Sequence, residues 1–463
     1  MKSIFKVFNR ISRMTTYGHN IKAYGAMPIR GEKIMFGPFH YFGCFFSRDK
    51  TFGCPKTILS PCFHFHKNQK IFFLHDQVYF CMLVAIVSGN DFVTSAHQML
   101  CGQFFAFVTR FNFIGHANVL PLIPKFTIVS TTKKYIEGFT RQLADALKIG
   151  EGLDLVRPGS DIRNIVIAGM GGSGIGANLV DSLTFGRIPI PITVVKSYNI
   201  PQFVSPHTLF VASSYSGNTE ETIAALNKAL LKRAHCIVIA SGGKILDIAR
   251  EYNLFYIQLP AGSESPRAML GYNMIALLSL LYHTNLIGSA FIKETENAIE
   301  FLNRGEKGIQ SEAELIAKKL KGKLPIIYCD QRLHAMALRF QQQINENSKQ
   351  FAHINSFPEM NHNELVGWRF PEALMPMMQP IYMYSDHDHE RVEKRMEICR
   401  EMLEKKSNPI IDIIGEGASL LEQYYYLIHL TDWISFYLAK ENGVDADTIE
   451  PIIYLKTELD KIK

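Results

Sequence analysis

The sequence predicts an α/β protein of two tandem, doubly wound parallel-sheet domains behind an N-terminal segment of doubtful structure. Three observations carry this expectation. From about residue 131, short β-branched apolar runs alternate with helical stretches, a pattern that implies parallel strands joined by helices on both faces of a sheet. The alternation occurs twice with similar size and order, as an internal duplication would give. Residues 1–125 follow neither pattern: they hold 19 of the 32 Phe, 7 of the 16 His and a single Glu, with no sustained helical period.

The series opens with Ile136, Phe139, Leu143 and Leu147 at helical spacing, an amphipathic helix that ends near Gly150 and Gly152. The run 164–168 reads as the first strand and feeds directly into Gly169-Met170-Gly171-Gly172-Ser173-Gly174. Further strands are expected at 193–195, 209–212, 236–240 and 255–259, with helices at about 175–183, 220–232 and 244–252. An apolar helix over about 270–286 closes the first domain, drawn as 126–290. The second domain, 291–463, begins with two helices at about 292–304 and 311–319. It continues through a strand from Pro325, a helix from His334 to about Ser348, strands near 352–355, 381–384 and 410–414, and a helix at 390–406. An aromatic helix over 420–440 and a short tail helix containing Lys456 complete it.

Charge and cysteine both divide the chain near residue 125. The formal charge is +6, yet residues 1–125 carry 14 Lys and Arg against 4 Asp and Glu, a net of +10, which leaves 35 against 39, a net of −4, for the rest. The folded part is therefore mildly acidic and has no nucleic-acid footprint. Five of the eight cysteines precede residue 125, while Cys236, Cys329 and Cys399 are scattered singly, a usage that suits a reducing cytoplasm. The best apolar run, 78–88, falls well short of the roughly 20 residues that a membrane-spanning helix needs. For residues 1–125 two readings compete. Cys44, Cys54, Cys62, His64, His66 and His75 would form a metal site, but their spacings fit no zinc module. The expected reading is a segment without its own fold, an upstream extension attached by a misplaced start.

Two loops carry the chemistry. Gly169, Gly171 and Gly174 match G-x-G-x-x-G after a strand, a pattern shared by dinucleotide-binding proteins. That reading requires an acidic residue at the end of the next strand, where Lys196 and Ser197 stand instead. The second loop, Ser213-Ser214-Tyr215-Ser216-Gly217-Asn218-Thr219-Glu220-Glu221-Thr222, places four hydroxyls at a helix start. One would serve as an ordinary cap. Four, with Gly217 permitting a tight turn, make a cradle that donates hydrogen bonds to phosphate oxygens.

These two loops together resemble the sugar isomerase (SIS) domain, and more narrowly the bifunctional phosphoglucose/phosphomannose isomerase family, which is built of two SIS domains. The resemblance runs from about Lys134 to the C-terminus and includes none of residues 1–125. It implies a fold of two tandem SIS-type domains, no cofactor and no metal. It implies that Ser173, Ser214, Ser216 and Thr219, with Gly172, bind the substrate phosphate. Arg267 in Pro266-Arg267 matches the arginine that stabilises the negative intermediate, and Glu346 in Gln343-Ile344-Asn345-Glu346-Asn347-Ser348-Lys349 matches the general base. His362 in Pro358-Glu359-Met360-Asn361-His362-Asn363-Glu364 matches a ring-opening histidine supplied by the neighbouring subunit, so a homodimer with a shared active site is expected. Lys456 in Tyr454-Leu455-Lys456 matches a lysine that assists ring opening. One departure concerns the tail, where Val444-Asp445-Ala446-Asp447-Thr448 shifts the Thr that the family often carries before this lysine.

Chemistry supports the same assignment. Converting an aldose into a ketose needs a ring-opening acid and base, a base that carries a proton between C2 and C1, and a positive group facing the enediolate. His362 with Lys456, Glu346 and Arg267 can fill these roles, and the resemblance makes hexose 6-phosphates the expected substrates. A non-catalytic SIS sensor of sugar phosphates is the rival reading; it needs the cradle but no base. Glu359 and Glu364 flank His362, and Glu364 is a candidate to orient it. Asp386-His387-Asp388-His389 is read as an exposed helix-capping loop and not as metal ligands, and the aromatic run Tyr424-Tyr425-Tyr426 with Trp433 and Phe436 as helix packing or dimer interface.

Overall fold

The computed structural model describes residues 130–154, 161–263 and 265–462, together with the strand backbones 24–29, 32–36, 74–75, 80–81, 83–88 and 91–96. The chain forms two compact units, Met1–Thr127 and Ile128–Lys463. In the first, Tyr24–Ile29 pairs with Glu32–Phe36, Leu74–His75 with Phe80–Cys81, and Leu83–Ser88 with Asp91–Ala96, all antiparallel. The side chains weighed above as metal ligands, Cys44, Cys54, Cys62, His64, His66 and His75, lie outside the described residues.

The second unit starts with two helices, α1 (Thr131–Glu137) and α2 (Phe139–Glu151), and then enters a parallel sheet. Its strands are β1 (Asn164–Ala168), β2 (Ile192–Val195), β3 (Thr208–Ser213), β4 (His235–Ala240) and β5 (Phe255–Gln258), in the order β5-β4-β3-β1-β2. Side chains alternate between the two faces. Ile165, Ile167, Leu209, Val211, Ile237 and Ile239 share a core with α2, α3 (Gly171–Thr184) and α6 (Leu270–His283). Val166, Ala168, Phe210, Ala212, Val238 and Ala240 face α4 (Glu220–Leu231) and α5 (Lys244–Glu251) on the other side. Burial on both faces explains why these strands read as continuous apolar runs.

The second sheet is also parallel: β6 (Leu324–Asp330), β7 (His353–Phe357), β8 (Met378–Tyr384) and β9 (Ile411–Ile414), in the order β7-β6-β8-β9. Ile327, Cys329, Ile381, Met383, Ile411 and Ile413 face α7 (Ala290–Leu320), α8 (His334–Ser348) and α10 (Leu420–Asn442), and belong to the same core as the inner face of the first sheet. Tyr328, Tyr382 and Phe357 face the opposite way, toward Val392, Met396, Cys399 and Leu403 on α9 (Glu390–Glu404). One helical layer is thus shared by both sheets. α7 begins at Ala290, and both sheets lie within the one compact unit Ile128–Lys463.

Two helices were expected across 292–319, and one 31-residue helix is found. Gly305 and Gly308 are the break that sequence suggests, yet Leu302, Ile309, Ala313 and Ile316 continue the buried stripe past them. Packing along this stripe outweighs the roughly 1 kcal/mol that each glycine costs in a helix.

The start and the tail of this unit are tied together. Asp447 accepts hydrogen bonds from Ser130 Oγ (3.1 Å), Thr131 N (2.9 Å) and Thr132 N (2.7 Å). Burial alone would raise its carboxyl, but these donors outweigh that effect and hold it below the usual aspartate range. A depressed folded value stabilises above the unfolded pKa and is lost as pH falls through the folded one. Asp447→Ala should therefore cost about 1–3 kcal/mol by urea denaturation at pH 7, with the difference vanishing at acid pH well below about 4. Equal stability at neutral pH would show that the tie contributes nothing.

Candidate active site

In the first sheet the chain reverses direction between β1 and β3, and the carboxyl ends of these strands open a crevice. Both expected loops arrive there. β1 ends in the glycine turn that starts α3, and β3 ends in the hydroxyl loop that starts α4. Neither helix start is capped by a side chain: Met170 has nothing to offer, and Thr219 turns its hydroxyl away from α4 to meet Ser214 Oγ at 2.8 Å. The helix-cap explanation for this loop fails on that contact. Ser173 Oγ accepts from Tyr215 N at 3.1 Å, which joins the two loops and leaves its own hydrogen to donate. Ser173 and Ser214 are buried, Thr219 half-buried and Ser216 exposed. The result is a set of hydroxyls and helix-start N–H groups suited to a phosphate; Glu220 and Glu221 follow in the first turn of α4, where exposed Glu220 accepts from Tyr198 Oη at 3.2 Å.

Gly217 makes this geometry possible. Its φ is +71°, and a Cβ there would fall 1.7 Å from the Gly242 carbonyl oxygen. Gly172 matters for a different reason: a Cβ on it would lie 3.1 Å from Arg267 Cα, so the glycine turn sits directly on the Pro266–Ala268 turn.

Arg267 reaches from that turn into the second half. Its side chain is 9% exposed, and its Nε lies 3.4 Å from the Glu346 carboxylate on α8. Nε donates to Asn347 Oδ1 (3.1 Å) and Nη2 to the Ala446 carbonyl (2.8 Å). Burial lowers the guanidinium pKa and Glu346 opposes this, so the charge is kept in a site that strengthens its field. A second cation stands beside them. Lys349, in the left-handed conformation at the end of α8, donates to the Glu346 carbonyl at 2.7 Å, and burial followed by repulsion from Arg267 lowers its pKa.

His362 and Lys456 are placed differently. His362 is exposed at the end of the turn Glu359–His362, and Lys456 lies on α11 (Glu450–Leu459), a helix without a buried residue. No hydrogen bond or ion pair among the described residues joins either to Arg267 or Glu346. Glu364 does not hold His362 as expected: its carboxylate receives Tyr328 Oη, Asn355 Nδ2 and His353 Nε2 (3.0 Å) instead. It therefore pins the His362 loop to β6 and β7. The 386–389 loop is a capping loop as read, since His389 Nδ1 accepts from Arg391 N at 3.1 Å at the start of α9. Among the described residues no group of three or more His, Cys, Asp or Glu is arranged to hold a metal ion.

Residues 309–459 match the bacterial phospho-glucose isomerase C-terminal SIS domain. A bifunctional phosphoglucose/phosphomannose isomerase of Caldicellulosiruptor bescii is 37% identical over 70% of this chain and 97% of its own length. The chain belongs to that family. The relative of that name from Aquifex aeolicus is 34% identical over 71% of this chain and 98% of its own length. Among solved structures, the C-terminal domain of the Francisella tularensis glucosamine-fructose-6-phosphate aminotransferase superposes with a TM-score of 0.57 at 16% identity, over 70% of this chain and 99% of that one, a likeness of fold alone.

Sequence reading missed the groups that support the candidate site: Asn347, Lys349, Arg339 and the Ala446 carbonyl. Asn347 and Lys349 lay inside the quoted segment but carried no signal of their own, because their relation to Arg267 spans about 80 residues of chain.

The Glu364 cluster gives a pH signature. Its hydrogen bond and charge raise the His353 pKa, and those partners, against burial, lower that of Glu364. A raised histidine stabilises below its unfolded pKa and loses this as pH climbs through the folded value; a lowered carboxylate stabilises above its own. Their contributions overlap between about pH 4.5 and 6.5. His353→Gln should thus lower the melting temperature most near pH 5.5 and little at pH 8.5. A pH-independent loss would show that the ion pair is silent.

Proposed function

We propose that the protein is an aldose–ketose isomerase that interconverts glucose 6-phosphate and mannose 6-phosphate with fructose 6-phosphate through a cis-enediolate. One observation carries this reading: the phosphate cradle rests on the turn that bears Arg267, and Arg267 stands 3.4 Å from the Glu346 carboxylate. Substrate is held by its phosphate on Ser173, Ser214, Ser216, Thr219 and the Gly172 backbone. Glu346 removes the C2 proton and returns it to C1, while a hydroxyl proton moves between O1 and O2. Arg267 faces the negative oxygens that form between these two transfers. Glucose and mannose 6-phosphates differ only at C2, the centre that becomes planar, so one intermediate connects both to the ketose.

Ring opening is assigned to His362 of the partner subunit together with Lys456. The exposed position of His362, flanked by exposed Val366 and Phe370, supports a homodimer with a shared site. The reading makes the enzyme cytoplasmic, in keeping with Cys236, Cys329 and Cys399, which are free and buried among the described residues. A sensor that merely binds sugar phosphate gains nothing from a carboxylate beside a buried arginine, which favours the enzyme.

A coupled assay of glucose 6-phosphate formation from fructose 6-phosphate, with mannose 6-phosphate run in parallel, tests the reaction; binding without turnover would support the sensor. Glu346→Gln should lower kcat by at least about 100-fold with KM nearly unchanged. Arg267→Ala should lower it about 100- to 1000-fold. Full activity in either variant would remove the corresponding role.

A further inference from the structure

We propose that Asn347 is a positioning residue for the isomerisation: it takes the Arg267 Nε–H, so that Glu346 remains an unbound base and Nη1 of the guanidinium is left to face the intermediate. The inference rests on the isomerase reading. Asn347 is fully buried at the end of α8. Its amide has one possible orientation. Nδ2 donates to Ser435 Oγ at 2.9 Å, and the Ser435 hydroxyl spends its own hydrogen on the Asp432 carbonyl at 2.7 Å, so it can only accept from Asn347. Oδ1 is thereby aimed at Arg267, where it accepts from Nε at 3.1 Å.

The other guanidinium nitrogens are divided accordingly. Nη2 is taken by the Ala446 carbonyl at 2.8 Å, and Nη1 has no partner among the described residues. Glu346 Oε2 lies 3.4 Å from the same Nε whose hydrogen points to Asn347. The carboxylate and the guanidinium attract each other by charge without a hydrogen bond that would tie up the base. The backbone of Arg267 is held as well: Arg339, buried and paired with Asp432 through two 3.1 Å contacts, donates Nη1 to the Arg267 carbonyl at 3.1 Å. Gln343 Nε2 adds a third bond to that carboxylate, at 2.8 Å. Three helical turns of α8 thus present Arg339, Gln343 and Asn347 on one face, and α10 answers with Asp432 and Ser435.

Removing Asn347 leaves Nε–H free to turn to Glu346, which would lock acid and base together. A double-mutant cycle reads this directly, since residues acting as one unit are not additive. In the full-length enzyme, Asn347→Ala should lower kcat about 30-fold with KM for fructose 6-phosphate within about two-fold. In an Arg267→Ala background the same change should alter kcat by less than about two-fold. Ser435→Ala, which frees the amide without opening a large cavity, should lower kcat about 5-fold and lose this effect in the Arg267→Ala background, and it carries the cycle should Asn347→Ala not fold. Losses that multiply independently, or a loss confined to KM, would overturn the positioning role while leaving the isomerase reading intact. A wild-type enzyme without turnover would overturn both.

Discussion

A buried guanidinium holds the candidate site together. Arg267 leaves water at a cost that only close partners offset, because an unpaired buried charge is worth several kcal/mol of destabilisation. Its partners come from three distant stretches: Glu346 and Asn347 on α8, the Ala446 carbonyl in the tail, and the glycine turn packed against its backbone. Satisfying one side chain therefore brings the phosphate cradle of the first sheet to the proposed base of the second half. Arg339 and Asp432 repeat the device one layer deeper, so the site's positive charge rests on a second compensated pair.

This bridge works because both sheets close on a common helical layer. The inner faces of β1, β3, β4 and of β6, β8, β9 meet the same set of helices, among them α3 and α8. α3 begins at the phosphate cradle, and Glu346 stands in the last turn of α8. Native-density packing between them leaves little freedom for one to slide past the other, which suits a site whose parts belong to different halves.

The two sheets are alike in topology and unlike in chemistry. The second sheet has the same kind of switch point, between β6 and β8, but its strand ends bear Asp330 and Asp388 where the first has glycine and serine. Burial, with Asp330 nearby, pushes the Asp388 carboxyl up to about 7. The hydroxyl-rich loop thus belongs to the first crevice, and acidic side chains stand at the corresponding place in the second. The second half contributes Glu346, Asn347 and Lys349 from the C-terminal end of α8 instead.

Local sequence determined a good deal of this protein. Strand runs, glycine turns and hydroxyl loops act within a few residues, so the alternating α/β order, the cradle at the ends of β1 and β3, and the family resemblance were all legible in the chain. Regular helices were legible too, except where Gly305 and Gly308 suggested a break that long-range packing overrides in α7. The arrangement of partners was decided by tertiary structure alone. Nothing local states that Asn347 receives Arg267, that Asp447 ties the tail to α1, or that Glu364 turns from His362 to Tyr328 and His353. Hydrogen bonding at a buried polar group is satisfied by whatever the packed core brings within about 3 Å, and residues tens to hundreds apart in sequence meet there only once both sheets have closed on their shared helices.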